Sequence, residues 1–343
     1  MKKETKSAPP NLSAISGKPT YFGYDDLVDY ILGITFEIWE QRQVERILDY
    51  YDENIDVFSL EGLTRGNTAM VDQTHATLSA YPDRLLLADD VICSGSLDRG
   101  FSSHRIISPM TNEGPTVFGA ATGRKLVVMN IADCEIRAGR ITREWLFRDN
   151  RAIVEQLGFN AREAARALCE RMDTRLIDRL EEEFERTFVG PAGSTRTIGA
   201  SEPDRFTVLA QDVLSANWTS DTDRPDPDIY APYAVLHRSP VRLHSGRDAI
   251  HEHYRKWRAV LPDARLQVDH VCSQTSGHNG HDIAVRWSVA GHQGGMLGDI
   301  GPAGHPVYIV GATHWRELNG RIVSEWTVFD EVAVMAQLLQ REN

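Results

Sequence analysis

Acidic and imidazole side chains cluster around two points of the 343-residue chain, each a strand pair closed by a tight turn. The first turn is Ala138-Gly139 and the second Asn319-Gly320. Two-residue turns of this kind need positive φ at both central positions, which makes Asn-Gly the strongest short hairpin signal. Counted outward from a two-residue turn, the pairing sets Asp133 across from Glu144 and Ile131 across from Leu146. The second hairpin sets His314 across from Glu325 and Ala312 across from Thr327. Two carboxylates facing each other in an apolar setting cannot both ionise cheaply, so one keeps a proton near neutral pH. An imidazole beside a carboxylate has its tautomer fixed and its basicity raised, as a general base requires. These pairs make Asp133, Glu144, His314 and Glu325 the catalytic candidates.

The elements that position these residues occur twice. The segment at 66–91 matches 246–271 with a shift of 180, placing Gly66 on Gly246 and Pro82-Asp83 on Pro262-Asp263. AGRITREWLFRDNRAIVEQL at 138–157 falls on NGRIVSEWTVFDEVAVMAQL at 319–338 with a shift of 181, nine of twenty positions agreeing without a gap. Each copy reads as an apolar-periodic helical segment, a short strand, a Gly-led helix ended by proline, and three or four long strands. Helices first and antiparallel strands afterwards predict an α+β domain with its helices on one face of a curved sheet. The expected division is a disordered tail at 1–19, domains at 20–158 and 203–343, and a connecting helix and linker at 159–202. Helical spacing from Ala164 to Phe184 marks the connecting helix, and the Gly/Ser/Thr/Pro-rich stretch 189–204 the linker.

Composition narrows the function. Against 37 Lys and Arg stand 49 Asp and Glu, a net charge of -12 with no segregated basic face, so nucleic acid is not an expected partner. No window approaches the roughly 18 apolar residues of a membrane span. Four isolated cysteines, with no C-x-x-C pair, fit a reducing cytoplasm. Ten of the twelve histidines follow residue 230, but their spacing makes no metal motif: His251 and His253 are i, i+2 on a helix, and His278 and His281 share a Gly-rich loop. No G-x-G-x-x-G, Walker or G-x-S-x-G motif appears, and no cofactor is expected.

The segment GPAGHPVYIVGATHWRELNGRIVSEWTVFDEVAVMAQL at 301–338, with its P-x-G-x-x-V strand, G-R-I-x-x-x-W hairpin and closing D-E-x-x-x-x-x-Q-L helix, resembles the SnoaL-like polyketide cyclases, or ester cyclases, of the nuclear transport factor 2 superfamily. Both copies share the resemblance, over about 280 residues. It implies two tandem cone-shaped domains, each a curved antiparallel sheet wrapped around helices with a central pocket. In that family the acid/base residue is an Asp directly after the hairpin Trp. Here Trp145 is followed by Leu146 and Trp326 by Thr327, so neither copy carries it. The face that holds the family Asp would turn Glu144, Leu146, Glu325 and Thr327 into the pockets and Trp145 and Trp326 away from them. Asp149 and Asp330 match a second acidic position of the family and read equally as helix N-caps. Thr327, Tyr254, Leu146 and Asp330 are the expected substrate contacts, with the second pocket the expected centre of catalysis. The expected function is cofactor-independent cyclisation, isomerisation or hydration of a small apolar carbonyl compound. The alternative is a non-catalytic small-molecule binder, the first copy serving as an intramolecular pseudo-dimer partner, with a further homodimer possible.

Overall fold

The computed structural model describes residues 21–190, 204–219, 229–277 and 279–341. The expected tail, most of the linker and His278 lie outside them. In the first repeat, α1 (Leu27–Thr35) runs into a π turn, and α2 (Ile47–Tyr50) leads into β1 (Tyr51–Ser59) and β2 (Gly62–Arg65). Helix α3 (Asn67–Ala80) precedes β3 (Leu87–Gly95), β4 (Arg99–Thr111), β5 (Lys125–Arg137) and β6 (Arg140–Arg148), and α4 (Asn150–Leu157) closes the repeat. The connection is two helices, α5 (Ala161–Cys169) and α6 (Thr174–Phe188), where the sequence suggested one; Asp173 breaks the run by capping α6. The second repeat follows the same order: α7 (Arg205–Trp218), β7 (Tyr230–Ser239), β8 (Arg242–Ser245), α8 (Arg247–Val260), β9 (Arg265–Thr275), β10 (Gly280–His292), β11 (Pro306–Leu318), β12 (Arg321–Val328) and α9 (Glu331–Gln340).

Each repeat forms one six-stranded sheet, ordered β2-β1-β6-β5-β4-β3 and β8-β7-β12-β11-β10-β9. The sheets are mixed and not wholly antiparallel, because the first long strand of each repeat lies parallel to the last. Gly66 and Gly246 open α3 and α8 at φ 86° and 88°, a conformation that costs glycine little and explains the Gly-led helices of both copies. The turns also take the expected form, with φ of 46° and 72° at Ala138-Gly139 and 51° and 80° at Asn319-Gly320.

Beyond those turns the pairing departs from expectation. A β-bulge leaves Thr142 unpaired on β6 and Val323 unpaired on β12, so each hairpin slips by one residue. Asp133 therefore lies across from Trp145, and Glu144 across from Cys134. His314 lies across from Trp326, and Glu325 across from Trp315. Side chains alternate between faces, so a slip of one moves each expected pair onto opposite sides of its sheet.

The inner face of each sheet packs on its own helices. The outer faces meet each other, and equivalent residues meet with the roles of the repeats exchanged. Arg286 of β10 covers the Trp145 ring at 3.5 Å and pairs with Asp133. Arg105 of β4, its equivalent, covers the Trp326 ring at 3.9 Å and donates to His314 Nδ1 at 3.1 Å. Between these two contacts Ile92, Cys272 and Ala284 pack together. Helices α5 and α6 lie against the second repeat, where Arg186 pairs with Asp269 at 3.1 Å.

Candidate active site

The slipped register separates the expected catalytic residues into two groups. Asp133 and His314 occupy equivalent positions on the outer faces, between the sheets. His314 is fully buried, held by Ser103 Oγ at 2.9 Å and by Arg105, and burial with the adjacent guanidinium keeps its pKa well below the usual imidazole range. It neither touches Glu325 nor faces a cone, which corrects its assignment as a base oriented by that carboxylate. Asp133 is likewise no partner of Glu144. Burial raises its pKa while Arg286 opposes the rise.

Glu144 and Glu325 are the equivalent residues of the two inner faces. Glu325 is fully buried and accepts hydrogen bonds from the Tyr230 and Tyr254 hydroxyls, from Trp315 Nε1 at 3.0 Å and from Thr327 Oγ1 at 2.7 Å. Thr313 and Thr327 hydroxyls lie 2.8 Å apart, and Trp287 Nε1 donates to Thr313 at 2.9 Å, extending the chain of bonds. The expected contacts Thr327 and Tyr254 thus belong to a closed network. Around it Trp218 meets Tyr254, Trp257, Trp287 and Phe329 with ring centroids 5.0–5.9 Å apart. The Trp287 indole lies 2.5 Å from where a Cβ on Gly311 would stand, so that glycine is required by the filling of the cone.

Glu144 stands in different company. It is 5 % exposed, and its Oε2 has no hydrogen-bond partner. Burial lifts its pKa to about 7, against the opposing effects of Arg148 and of a hydrogen bond from Tyr51. Where the second repeat has Trp315, Thr313 and Thr327, the first has Cys134, Ala132 and Leu146, none of which supplies a strong donor. Ala132 and Leu146 sit mid-sheet yet are only half-buried, whereas Thr313 and Thr327 have no exposure at all.

Other unpartnered polar atoms share this inner face. Ser103 and Arg105 point outward from β4, so Ser102 and His104 point inward. Ser102 Oγ, His104 Nε2 and both amide atoms of Asn130 are buried without partners. Buried polar groups are normally satisfied, so four such residues on one face of one sheet make that face the candidate site of the first repeat; in the second repeat Asn217 Oδ1 and Trp218 Nε1 are also unpartnered. The equivalents of Ser102, His104, Asn130 and Glu144 in the second repeat are Ile283, Val285, Gly311 and the saturated Glu325. Burial lowers the His104 pKa to about 4, leaving a neutral imidazole at physiological pH. Ser102, Cys134 and Glu144 form one row across β4, β5 and β6, and His104, Ala132 and Leu146 the next. Glu144 and His104 thus flank the small Ala132 on strands about 10 Å apart. Sequence reasoning passed over Ser102, His104 and Asn130; aligning β4 and β5 on β10 and β11 shows polar residues facing Ile, Val and Gly.

Asp330 lies where the two repeats meet, in a small cleft shared with Leu146 and Arg148. It caps α9 through Val332 and Ala333 N–H, each at 3.0 Å, and accepts from Asn150 of the first repeat. Asp149 caps α4 and pairs with Arg242 at 3.1 Å. Both carboxylates are thus engaged in helix caps and in contacts between the repeats. A cleft of about 890 Å³ opens between α6 and the strand β11, but its floor residues Tyr308 and Gln337 are already hydrogen-bonded.

Residues 208–338 match the sequence profile of the SnoaL-like polyketide cyclase family. The similarity to that family is carried by the second repeat. Among solved structures, TsrD from Streptomyces laurentii is 20% identical, covering 38% of this chain and 94% of its own, with a TM-score of 0.35. A SnoaL-like polyketide cyclase from Agrobacterium tumefaciens is 19% identical, covering 39% of this chain and 99% of its own, with a TM-score of 0.34. No curated protein matches the chain. The SnoaL-like match falls on the repeat whose inner face is filled. No helix among the described residues is long and apolar enough to cross a membrane.

Proposed function

We propose that the first repeat carries out cofactor-independent acid/base chemistry on a small carbonyl-containing substrate, with Glu144 as the proton carrier. The second repeat then acts as its fused pseudo-dimer partner. Glu144 carries the reading: a buried carboxyl with a free oxygen and a pKa near 7 is poised both to accept and to return a proton at neutral pH. As the carboxylate it removes a proton from the carbon next to the substrate carbonyl. As the acid it returns that proton to another carbon, completing an isomerisation, or to the alkoxide oxygen formed when the enolate carbon closes a ring onto a second carbonyl; in a hydration it instead takes the proton from a water adding to a conjugated C=C and delivers it to the α-carbon. The Tyr51 hydroxyl orients the carboxyl. His104, neutral and on the other side of Ala132, offers a ring nitrogen for the carbonyl oxygen as negative charge develops there. Both Glu144 and Leu146 keep the roles read from the sequence, and catalysis moves from the second pocket to the first.

The test is the Glu144 titration, followed by carboxyl NMR of the labelled protein against Glu144→Gln, together with deuterium exchange at the α-carbon of simple ketones. A midpoint near 7 and exchange at least 10²-fold slower in Glu144→Gln are expected. A midpoint between 4 and 5, with ketones bound but not exchanged, would leave a binding protein.

A further inference from the structure

The inner face of the first repeat has a second end that acid/base chemistry at Glu144 does not use. Arg84, just after α3, is 9 % exposed and donates from Nε to Ser108 Oγ at 3.0 Å, its guanidinium 5.0 Å from the Trp39 ring centroid. Among the described residues no carboxylate pairs with it. Its charged neighbours are Arg148 and Arg42, and burial with these like charges lowers its pKa to about 9. Ser108 follows Ser102, His104 and Ile106 on the inward side of β4, and Asn130, 2 % exposed, lies across from Arg148 on the same face. Here a buried cation without a counter-charge stands near a buried amide without a partner, and both features are costly unless something completes them. In the second repeat the same places hold Ala264, Val289 and Gly311.

We propose that Arg84 and Asn130 form a carboxylate-binding end, and that the substrate of the first repeat is an oxo acid held by its carboxylate there, with its carbonyl at Glu144. The planar guanidinium fork fits a carboxylate, and the Asn130 amide donates one further hydrogen bond. The anion end and the reacting end lie on one continuous face, which favours a group on the substrate over a separate ion. Four residues of β5, from Asn130 to Cys134, separate the two ends, a backbone distance of about 13 Å. Side chains leaning in from both ends shorten this to the span of roughly a six- to eight-carbon chain. Which end reacts rests on the Glu144 reading; the anion end itself does not.

Calorimetric titration of the full chain with 7-oxooctanoate, 2-octanone and acetate tests the proposal. The oxo acid is expected to bind the parent at least tenfold more tightly than the neutral ketone. Arg84→Met should bring the two within about threefold, Arg84→Lys should restore part of the preference, and Asn130→Ala should weaken the acid alone. If Arg84→Met does not fold, Arg84→Lys and Asn130→Ala still decide the matter. Equal binding of acid and ketone by the parent, no detectable oxo acid binding, or an undiminished preference in all three variants would overturn it. Acetate binding as tightly as the oxo acid would assign the end to a free anion and overturn the substrate claim. Glu144→Gln should keep the acid preference; that result with no α-exchange in the parent would sink the Glu144 reading and spare this one.

Discussion

Glu144 and Glu325 hold the same place in the two repeats, yet Glu325 accepts four hydrogen bonds and Glu144 keeps an oxygen with no partner. Strand order, register and bulge are the same at the two sites; the neighbours differ. Tyr254, Trp315 and Thr327 surround one carboxyl with donors, while their equivalents Thr74, Cys134 and Leu146 leave the other with the Tyr51 hydroxyl and one oxygen unpartnered. A buried carboxyl in a full donor shell is a structural tie. The same group with an incomplete shell has a raised pKa and an oxygen free to take a further hydrogen bond. The family's sequence profile therefore matches one half, and the chemistry proposed above is placed in the other.

The largest effect that would sharpen this contrast is on turnover. With an active carbonyl substrate, Glu144→Gln should lower kcat by roughly 10²- to 10⁴-fold, while Glu325→Gln, assayed where it is folded, should stay within a few-fold of the parent. The reverse result would return catalysis to the second repeat. Stability should respond the other way in denaturant melts: Glu325→Gln leaves buried donors facing an amide and should cost about 3 kcal/mol.

The pH dependence of stability separates the two glutamates further. Glu144 has its folded pKa raised to about 7 against about 4.3 unfolded, so the folded state holds the extra proton between these values. Its contribution is therefore favourable at low pH and is lost as pH rises through that window. Glu144→Gln should match the parent near pH 4 and exceed it by up to about 3 kcal/mol at pH 8. His104, lowered to about 4, acts in the opposite sense, its contribution being lost as pH falls from about 6.5. The difference between parent and variant isolates the carboxyl, and a flat difference curve would show that Glu144 titrates normally. The smallest expected contrast is between the repeats' arginines. Arg286→Ala strands the buried Asp133 and should cost about 3 kcal/mol, against a smaller loss of about 1–2 kcal/mol for Arg105→Ala, which leaves a neutral His314, the part-exposed Asp89 and the more distant Asp90. Equal costs would mean that Asp133 is protonated in the fold.

The duplication, the Gly-led helices, both hairpin turns and the alternative reading of Asp149 and Asp330 as helix caps were all legible in residue type and spacing. The bulges at Thr142 and Val323 were not, because an unpaired residue three positions beyond a turn has no side-chain signature. Missing them moved His314 and Asp133 onto the wrong face. Glu144, Glu325, Leu146 and Thr327 stayed on the inner face because their placement rested on the resemblance and not on pairing across the hairpin. Ser102, His104 and Asn130 were hidden for another reason: alone on a strand each is unexceptional, and only a lack of partners in three dimensions distinguishes them.

The contact between the sheets has a consequence for how such a pair can diverge. In a symmetric homodimer one residue change appears on both sides of the axis, so an arginine meeting an aspartate on one side must meet an aspartate on the other. Joined in a single polypeptide, the position equivalent in the two repeats is Asp133 against Arg286 but His314 against Arg105. Tandem fusion frees each half from its twin, so that one sheet can saturate its buried carboxyl with donors while the other leaves its own short of partners.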